Sequence, residues 1–329
     1  MSEGVFVVAV EEHFATRRIL NFARAVPGPM DNEQAHQQVP ALLDLGAGRI
    51  AAMDEAGIDV QVVSHTAPGI ESVPSTEAEA LAREANDQLA AAIDRYPHRL
   101  AGLATLPVTR PQAVADELRR AVGLGMKGAL VNGTTNGRFL DDPAYDELLA
   151  TLEELNVPLY LHPGLPPEAV RRAYYDGLPG RTGVVLSTAA WGWHSETAIH
   201  VLRLAVSGVF DRYPGLQVVI GHMGEMLGVM AQRAKMVLGA TGELQRPLDE
   251  YLAANLHITT AGIFDHHAFR SAVAVVGIDR MMFSIDFPYV PAQPAFGFLR
   301  AIELDSADRA KLAGGNALRT FRIGPHIVS

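Results

Sequence analysis

The chain has 329 residues, 48% of them hydrophobic and 19% charged, with a formal net charge of −10 and no cysteine. That length suits one large α/β domain, and no shift of composition marks a boundary, so residues 1–329 read as a single domain. The acidic balance and scattered Lys and Arg argue against a nucleic-acid surface, while the lack of cysteine leaves no disulfide framework, thiolate nucleophile or Cys-ligated zinc.

The opening MSEGVFVVAVEEHF has an apolar stretch too short for a signal peptide and carries acids on both sides of it. No apolar run approaches the roughly 18–20 residues of a membrane span, so a cytoplasmic protein with no membrane partner is expected. Short apolar or β-branched runs closed by polar or turn residues predict strands over Val5–Val10, Val60–Ser64, Leu100–Leu106, Gly128–Asn132, Pro158–His162, Gln217–Gly221, His257–Thr260 and Met281–Ile285. Amphipathic periodicity predicts helices over Glu77–Tyr96, Pro111–Val122, Pro143–Leu155, Glu196–Phe210, Glu225–Leu238, His266–Val276 and Asp305–Thr320. This alternation favours a (β/α)8 TIM barrel over an open doubly wound sheet. An open sheet would carry a Gly-rich phosphate turn after an early strand, where this chain has EEHFATRR. Long connections at 14–41, after strand 1, and 163–194, after strand 5, have the length of lids or contact loops.

Side chains at i and i+2 of a strand share a face, so Glu11 and His13 can converge while Glu12 points away. His162, His222 and Asp286 each close a later strand, and in a parallel barrel the C-terminal strand ends form the rim that carries the chemistry. Two imidazoles and two carboxylates on one rim suit a divalent metal, with an extra histidine beside it. Each residue also has a plainer reading. His162 could bond to backbone, and Asp286 could cap the turn before Pro288. His222 could be a fifth ligand or a general acid–base. Glu225 could orient His222 or complement a helix dipole, and Arg233 reads as a solvated helix arginine. His65 could touch substrate or hold a turn, and Trp191 and Trp193 could wall an aromatic pocket or pin their loop.

Many segments, in order, carry a resemblance: VEEHF at 10–14, APGIESVP at 67–74, AREAND at 82–87, GALVNG at 128–133, YLHP at 160–163, SETA at 195–198, GVFDRYP at 208–214, IGHMGE at 220–225, HITTAG at 257–262, FSIDFP at 283–288 and NALRTF at 316–321. Together they make the chain similar to the amidohydrolase superfamily, in the metal-dependent branch of γ-resorcylate, 5-carboxyvanillate and aminocarboxymuconate semialdehyde decarboxylases. The resemblance implies a distorted TIM barrel with one divalent ion, Zn2+ or Mn2+, held by Glu11, His13, His162 and Asp286, and His222 nearby as a catalytic residue. Asn132 stands where binuclear relatives carry a modified lysine, which implies a mononuclear site. The implied activity is non-oxidative decarboxylation of a hydroxylated aromatic acid such as 2,6-dihydroxybenzoate, reversible at high bicarbonate, with the ring proton from Asp286 or His222. Arg233 would then face a substrate oxygen, and a homo-oligomer, dimer or tetramer, is expected. Lys235, Trp193 and His194 depart from the resorcylate pattern and are expected near the pocket. Two other readings compete: a mononuclear hydrolase of a lactone, amide or ester on the same fold, and a catalytically silent barrel acting as a scaffold.

Overall fold

The structure, a computed structural model, describes residues 5–24 and 33–324. The stretch 25–32 of the first long connection lies outside the described residues, as do both termini of the single domain expected over 1–329. Eight parallel strands follow one another around a barrel: β1 (Val8–Phe14), β2 (Val60–His65), β3 (Leu100–Gly102, continuing as Ala104–Thr105), β4 (Ala129–Asn132), β5 (Leu159–His162), β6 (Val218–Ile220), β7 (Leu256–Thr259) and β8 (Met281–Met282). β3 turns the corner of the sheet. Its first half pairs with β2 and its second with β4, with Leu103 between them. Helices α1 (Ala47–Ala56), α2 (Ser75–Arg95), α3 (Val114–Gly123), α4 (Asp146–Leu155), α5 (Gly192–Val206), α6 (Leu227–Gly239), α7 (His266–Val276) and α8 (Ala292–Ala301) wrap the outside.

Two buried layers result from the alternation of side chains along each strand. Val8, Val62, Leu130, Tyr160, Val219 and Met282 fill the barrel, which Ala317 and Phe321 of the last helical segment plug from below. Intervening residues such as Val63, Ala104, Val131, Leu161 and Ile220 face the helices. One polar clamp ties helix to barrel: fully buried Asn86 of α2 accepts from Thr105 N (2.8 Å) and donates to Thr105 O (2.9 Å).

Closure is unequal around the ring. β8 pairs with β7 but makes no ladder with β1, and the two edges meet through a single parallel bridge, Glu12 with Phe287, and the bond His13 N→Phe287 O at 2.8 Å. Several boundaries differ from expectation. β1 begins and ends later than Val5–Val10, and β8 is shorter than Met281–Ile285. The connection at 163–194 folds into helices Glu168–Tyr175 and Thr182–Ser187 before α5. α6 starts at Leu227 because Glu225 and Met226 have φ of +52° and +67°, outside the helical region. Among the described residues no helix is long and apolar enough to cross a membrane.

Candidate metal centre

β1 runs through Phe14, so Glu11 and His13 lie inside the strand and both are fully buried. Its register against β2 shifts between Ala9 and Glu12, a bulge of the kind that re-aims side chains at a barrel rim. His162 ends β5, and Asp286, with φ +80°, follows the end of β8. His162 Nε2 lies 3.2 Å from Glu11 Oε1, and His13 Nε2 lies 3.3 Å from Asp286 Oδ1.

These contacts are not self-sufficient hydrogen bonds. His162 Nδ1 is 2.8 Å from Pro163 O, so a neutral ring donates there and turns the lone pair of Nε2 towards the Glu11 carboxylate. The 3.2 Å contact is an ion pair only if that ring is doubly protonated. Glu11 Oε1 and His13 Nε2 are buried without a hydrogen-bond partner. Acceptors crowded together away from water need a cation between them, and a backbone carbonyl on the far nitrogen is how metal-bound histidines are oriented. The residues present therefore fit a divalent ion, with two nitrogens and two carboxylates as donors.

Glu11 divides its two oxygens. Tyr160 OH and Thr259 Oγ1 donate to Oε2, the latter at 3.3 Å, which leaves Oε1 for the centre. Burial alone would raise the Glu11 pKa, but His222, His162 and His13 outweigh it and hold the carboxyl at about 2. Burial and the Glu11 charge push the Tyr160 hydroxyl well above its ordinary range, so it stays a donor. Burial also opposes ionisation of Asp286, yet bonds to His13 and His222 bring its pKa below the usual value. Gly221 passes directly beneath Glu11: a Cβ there would sit 2.3 Å from Oε2, so only glycine allows the approach.

His222 stands just past β6 at the head of a strained turn. His222, Met223, Glu225 and Met226 all have positive φ, between +49° and +67°, a conformation costing about 1–3 kcal/mol per non-glycine residue and found where function requires it. Its Nδ1 lies 2.7 Å from Glu225 Oε1, and its Nε2 lies 3.8 Å from both Glu11 Oε1 and Asp286 Oδ2. The other Glu225 oxygen lies 2.5 Å from His194 Nδ1, and His194 Nε2 lies 2.9 Å from Ala189 O. Glu225, expected either to orient His222 or to complement a helix dipole, thus has its two oxygens against the rings of His222 and His194. Burial disfavours a charged His222, but Glu225 and Glu11 raise its pKa well above the ordinary value. Burial likewise opposes the Glu225 charge, and His222 and His194 hold that carboxyl at about 2. His194, His222 and Glu225 are also spaced closely enough for an ion; His222 Nδ1 and His194 Nδ1 each face one Glu225 oxygen, and His194 donates both to Glu225 and to Ala189 O only when doubly protonated.

The remaining expectations separate. His65 is buried, with Nε2 accepting from Thr16 N (3.2 Å) and Nδ1 donating to Thr66 O (3.0 Å). Both nitrogens are engaged by backbone, which gives it the turn-holding role and leaves none for substrate; burial drops its pKa to about 4. Arg233 is exposed on α6, and the structure does not bring it into the cluster. Lys235 pairs with Asp249 on the surface at 2.7 Å, not at the pocket as expected. Trp191 is 52% exposed, whereas Trp193 is half-buried and its indole N–H is shielded without an acceptor. Asn132 donates through N and Nδ2 to the half-buried Glu71 carboxyl, at 2.8 and 3.0 Å.

Sequence reasoning missed Tyr160, the bridging position of His194, and a buried set beneath the rim. In that set Arg49 donates to His13 O (2.5 Å) and Gln61 Oε1 (3.0 Å), and Gln61 reaches Glu12. A charged residue on a helix packed against the strand, and a glutamine inside the run VQVVSH, were the available signals.

The sequence profile of a family described as Amidohydrolase matches residues 34–323. A γ-resorcylate decarboxylase from Rhizobium sp. is 38% identical over 331 residues, covering 96% of this chain and 98% of that protein. The crystal structure of 5-carboxyvanillate decarboxylase from Sphingomonas paucimobilis superposes with a TM-score of 0.89 at 32% identity, covering 98% of this chain and 100% of that one. A dihydroxybenzoic acid decarboxylase from Polaromonas sp., with bound manganese and the inhibitor 2-nitroresorcinol, has a TM-score of 0.88 at 34% identity, covering 97% and 98%.

Glu225→Gln removes the first of the charges that raise the His222 pKa. The His222 titration midpoint, followed by NMR in the metal-free protein, is expected to fall, and an unchanged midpoint contradicts the pairing. Because the Glu225 pKa is depressed from 4.5 to about 2, its contribution to stability is present above pH 4.5 and lost as the pH falls towards 2.

Proposed function

This chain belongs to the amidohydrolase family, in its metal-dependent decarboxylase branch, and we propose that it removes carbon dioxide non-oxidatively from a hydroxylated aromatic acid resembling 2,6-dihydroxybenzoate. The observation that carries this reading is the convergence of Glu11, His13 and His162, whose ligand atoms lie within 4.8 Å of one another, with Asp286 3.3 Å from His13, Glu11 Oε1 and His13 Nε2 buried without a hydrogen-bond partner, and His222 beside them. One Mn2+ or Zn2+ is the proposed cofactor; manganese is the ion in the Polaromonas relative. Asn132, engaged with Glu71, supports a single ion.

The bound ion supplies a Lewis acid for the substrate carboxylate and the neighbouring phenolic oxygen. Proton delivery falls to the Asp286 and His222 pair, whose facing atoms Oδ2 and Nε2 lie 3.8 Å apart. Glu225 keeps His222 charged and fixes its proton-bearing Nε2 towards the centre. The ring carbon bearing the carboxylate gains that proton, the carbon–carbon bond breaks with its electron pair returning to the ring, and carbon dioxide leaves. The Trp193 N–H and the exposed face of Trp191 are the groups we place nearest an aromatic ligand, on the segment that also carries His194.

A homo-oligomer is part of the same proposal. Val229, Met230, Met236 and Val237 of α6 are 75%, 53%, 59% and 47% exposed, and their spacing puts them on one helix face. Such an apolar stripe on a soluble domain suits a contact between copies.

Offered 2,6-dihydroxybenzoate and 5-carboxyvanillate, the protein is expected to release carbon dioxide, to stop on chelation, and to resume with one equivalent of Mn2+. Asp286→Asn, still folded, is expected to lose about 10²–10⁴-fold in turnover. Bound metal with no carbon dioxide, and solvent oxygen appearing in a product, would replace this reading with the hydrolase one. In sedimentation velocity the wild type is expected as a dimer or larger, and Met230→Glu with Val237→Glu should shift it towards monomer; an unshifted distribution removes this face from the assembly.

A further inference from the structure

The side chain of Glu12 leaves β1 on the face opposite Glu11 and His13 and enters the seam where β1 and β8 have no ladder. It is fully buried, and both its oxygens are engaged. Oε1 accepts from Ser284 Oγ at 3.1 Å and Ile285 N at 3.0 Å, while Oε2 accepts from Phe287 N at 3.3 Å and Gln61 Nε2 at 3.4 Å. The two backbone donors are the residues on either side of Asp286. Ser284 Oγ in turn accepts from Glu11 N at 2.6 Å, so the same carboxylate is coupled to the backbone of Glu11.

Asp286 itself sits at φ +80°, where a non-glycine residue stays only if its surroundings fix it. Its own carbonyl is taken by Tyr289 N (2.9 Å) and Val290 N (3.1 Å), which hold the far side of the turn. The carbonyls of the flanking residues are held by His13 N (Phe287 O, 2.8 Å) and Gly262 N (Ile285 O, 3.2 Å), and their N–H groups both end on Glu12. A two-oxygen acceptor with this span is needed. Glutamine would keep one acceptor but set its own N–H against the N–H of Phe287 or Ile285. Aspartate is one methylene too short to hold both.

We propose that Glu12 is the positioning residue of the metal centre: it holds Asp286 in its left-handed conformation and registers it against Glu11 and His13 across the open seam of the barrel. Glu12 touches neither ion nor substrate and acts only through the placement of Asp286. The inference rests on the metal-centre reading above, and the experiment separates the two.

Manganese affinity is measured without substrate, by the loss of the free Mn2+ EPR signal, for wild type, Glu12→Gln, Glu12→Ala and the control Asn86→Ala, with circular dichroism confirming that each is folded at the temperature used. Asn86 is a buried clamp of similar bonding whose partners, Thr105 and Glu117, do not belong to the metal cluster, so it reports general destabilisation. Glu12→Gln is expected to weaken Mn2+ binding by about 10–100-fold and Glu12→Ala by more, while Asn86→Ala melts earlier than wild type but binds Mn2+ as wild type does. If wild type and Glu12→Gln bind Mn2+ equally, or if affinity tracks melting temperature across all variants including Asn86→Ala, Glu12 is only a structural strap and the proposal falls. If wild type binds no Mn2+ or Zn2+, it is the metal-centre reading that falls. Should Glu12→Ala fail to fold, Glu12→Gln and Glu12→Asp decide the matter.

Discussion

Everything at the rim of this barrel is organised around buried acceptors that face one another. Glu11 Oε1 and His162 Nε2 are 3.2 Å apart, and His13 Nε2 and Asp286 Oδ1 are 3.3 Å apart, in a place from which water is largely excluded. Lone pairs so placed repel unless a positive charge joins them. The surrounding bonds do not relieve the conflict; they enforce it. Pro163 O fixes the tautomer of His162, and Tyr160 with Thr259 occupies the one Glu11 oxygen that points elsewhere. Gly221 leaves room for the carboxylate to come that close.

Beside this set stands a second, in which one carboxylate is shared between two imidazole rings. Glu225 lies between His222 and His194, each carboxylate oxygen matched to one ring nitrogen. The two sets differ in what they leave open: Glu11 Oε1 and His13 Nε2 are buried without a partner, whereas each Glu225 oxygen lies against a ring nitrogen. Both depend on backbone held in conformations that side chains resist, at 222–226 and at Asp286. Strain of this kind is retained where packing and hydrogen bonds over-determine it. His194 adds a link that belongs to this chain's own departures. It connects Glu225 to the backbone at Ala189, in the segment between β5 and α5 that leads into Trp191 and Trp193, so this loop is bonded to the carboxylate that faces His222.

The barrel and the identity of its rim were legible in the chain because both follow from short-range pattern. Short apolar or β-branched runs marked seven of the eight strands to within a few residues, and polar residues at or just past their ends gave Glu11, His13, His162, His222 and Asp286. β1 was misplaced because its bulge lets acidic and imidazole residues continue the strand, where composition alone suggests its end. β8 was overextended because Phe283 and Ile285 are apolar for packing, not for pairing. Left-handed residues at 222–226 could not be foreseen, since four of the five are not glycine. The parts that hold the site in place were the least visible. Glu12 was expected only to point away from Glu11 and His13, and pointing away puts it in the seam. Lys235 and His65 show the reverse error: titratable groups near the motifs in sequence, but engaged with Asp249 on the surface and with backbone turns, respectively.

The measurement closest to the central claim is anomalous diffraction at the manganese edge from crystals of the protein soaked with Mn2+. The account predicts one peak per chain, coordinated by Glu11, His13, His162 and Asp286, with His222, Glu225 and His194 still joined by their own hydrogen bonds. A peak at the His194, His222 and Glu225 trio instead, or no peak at the four converging acceptors, would contradict it.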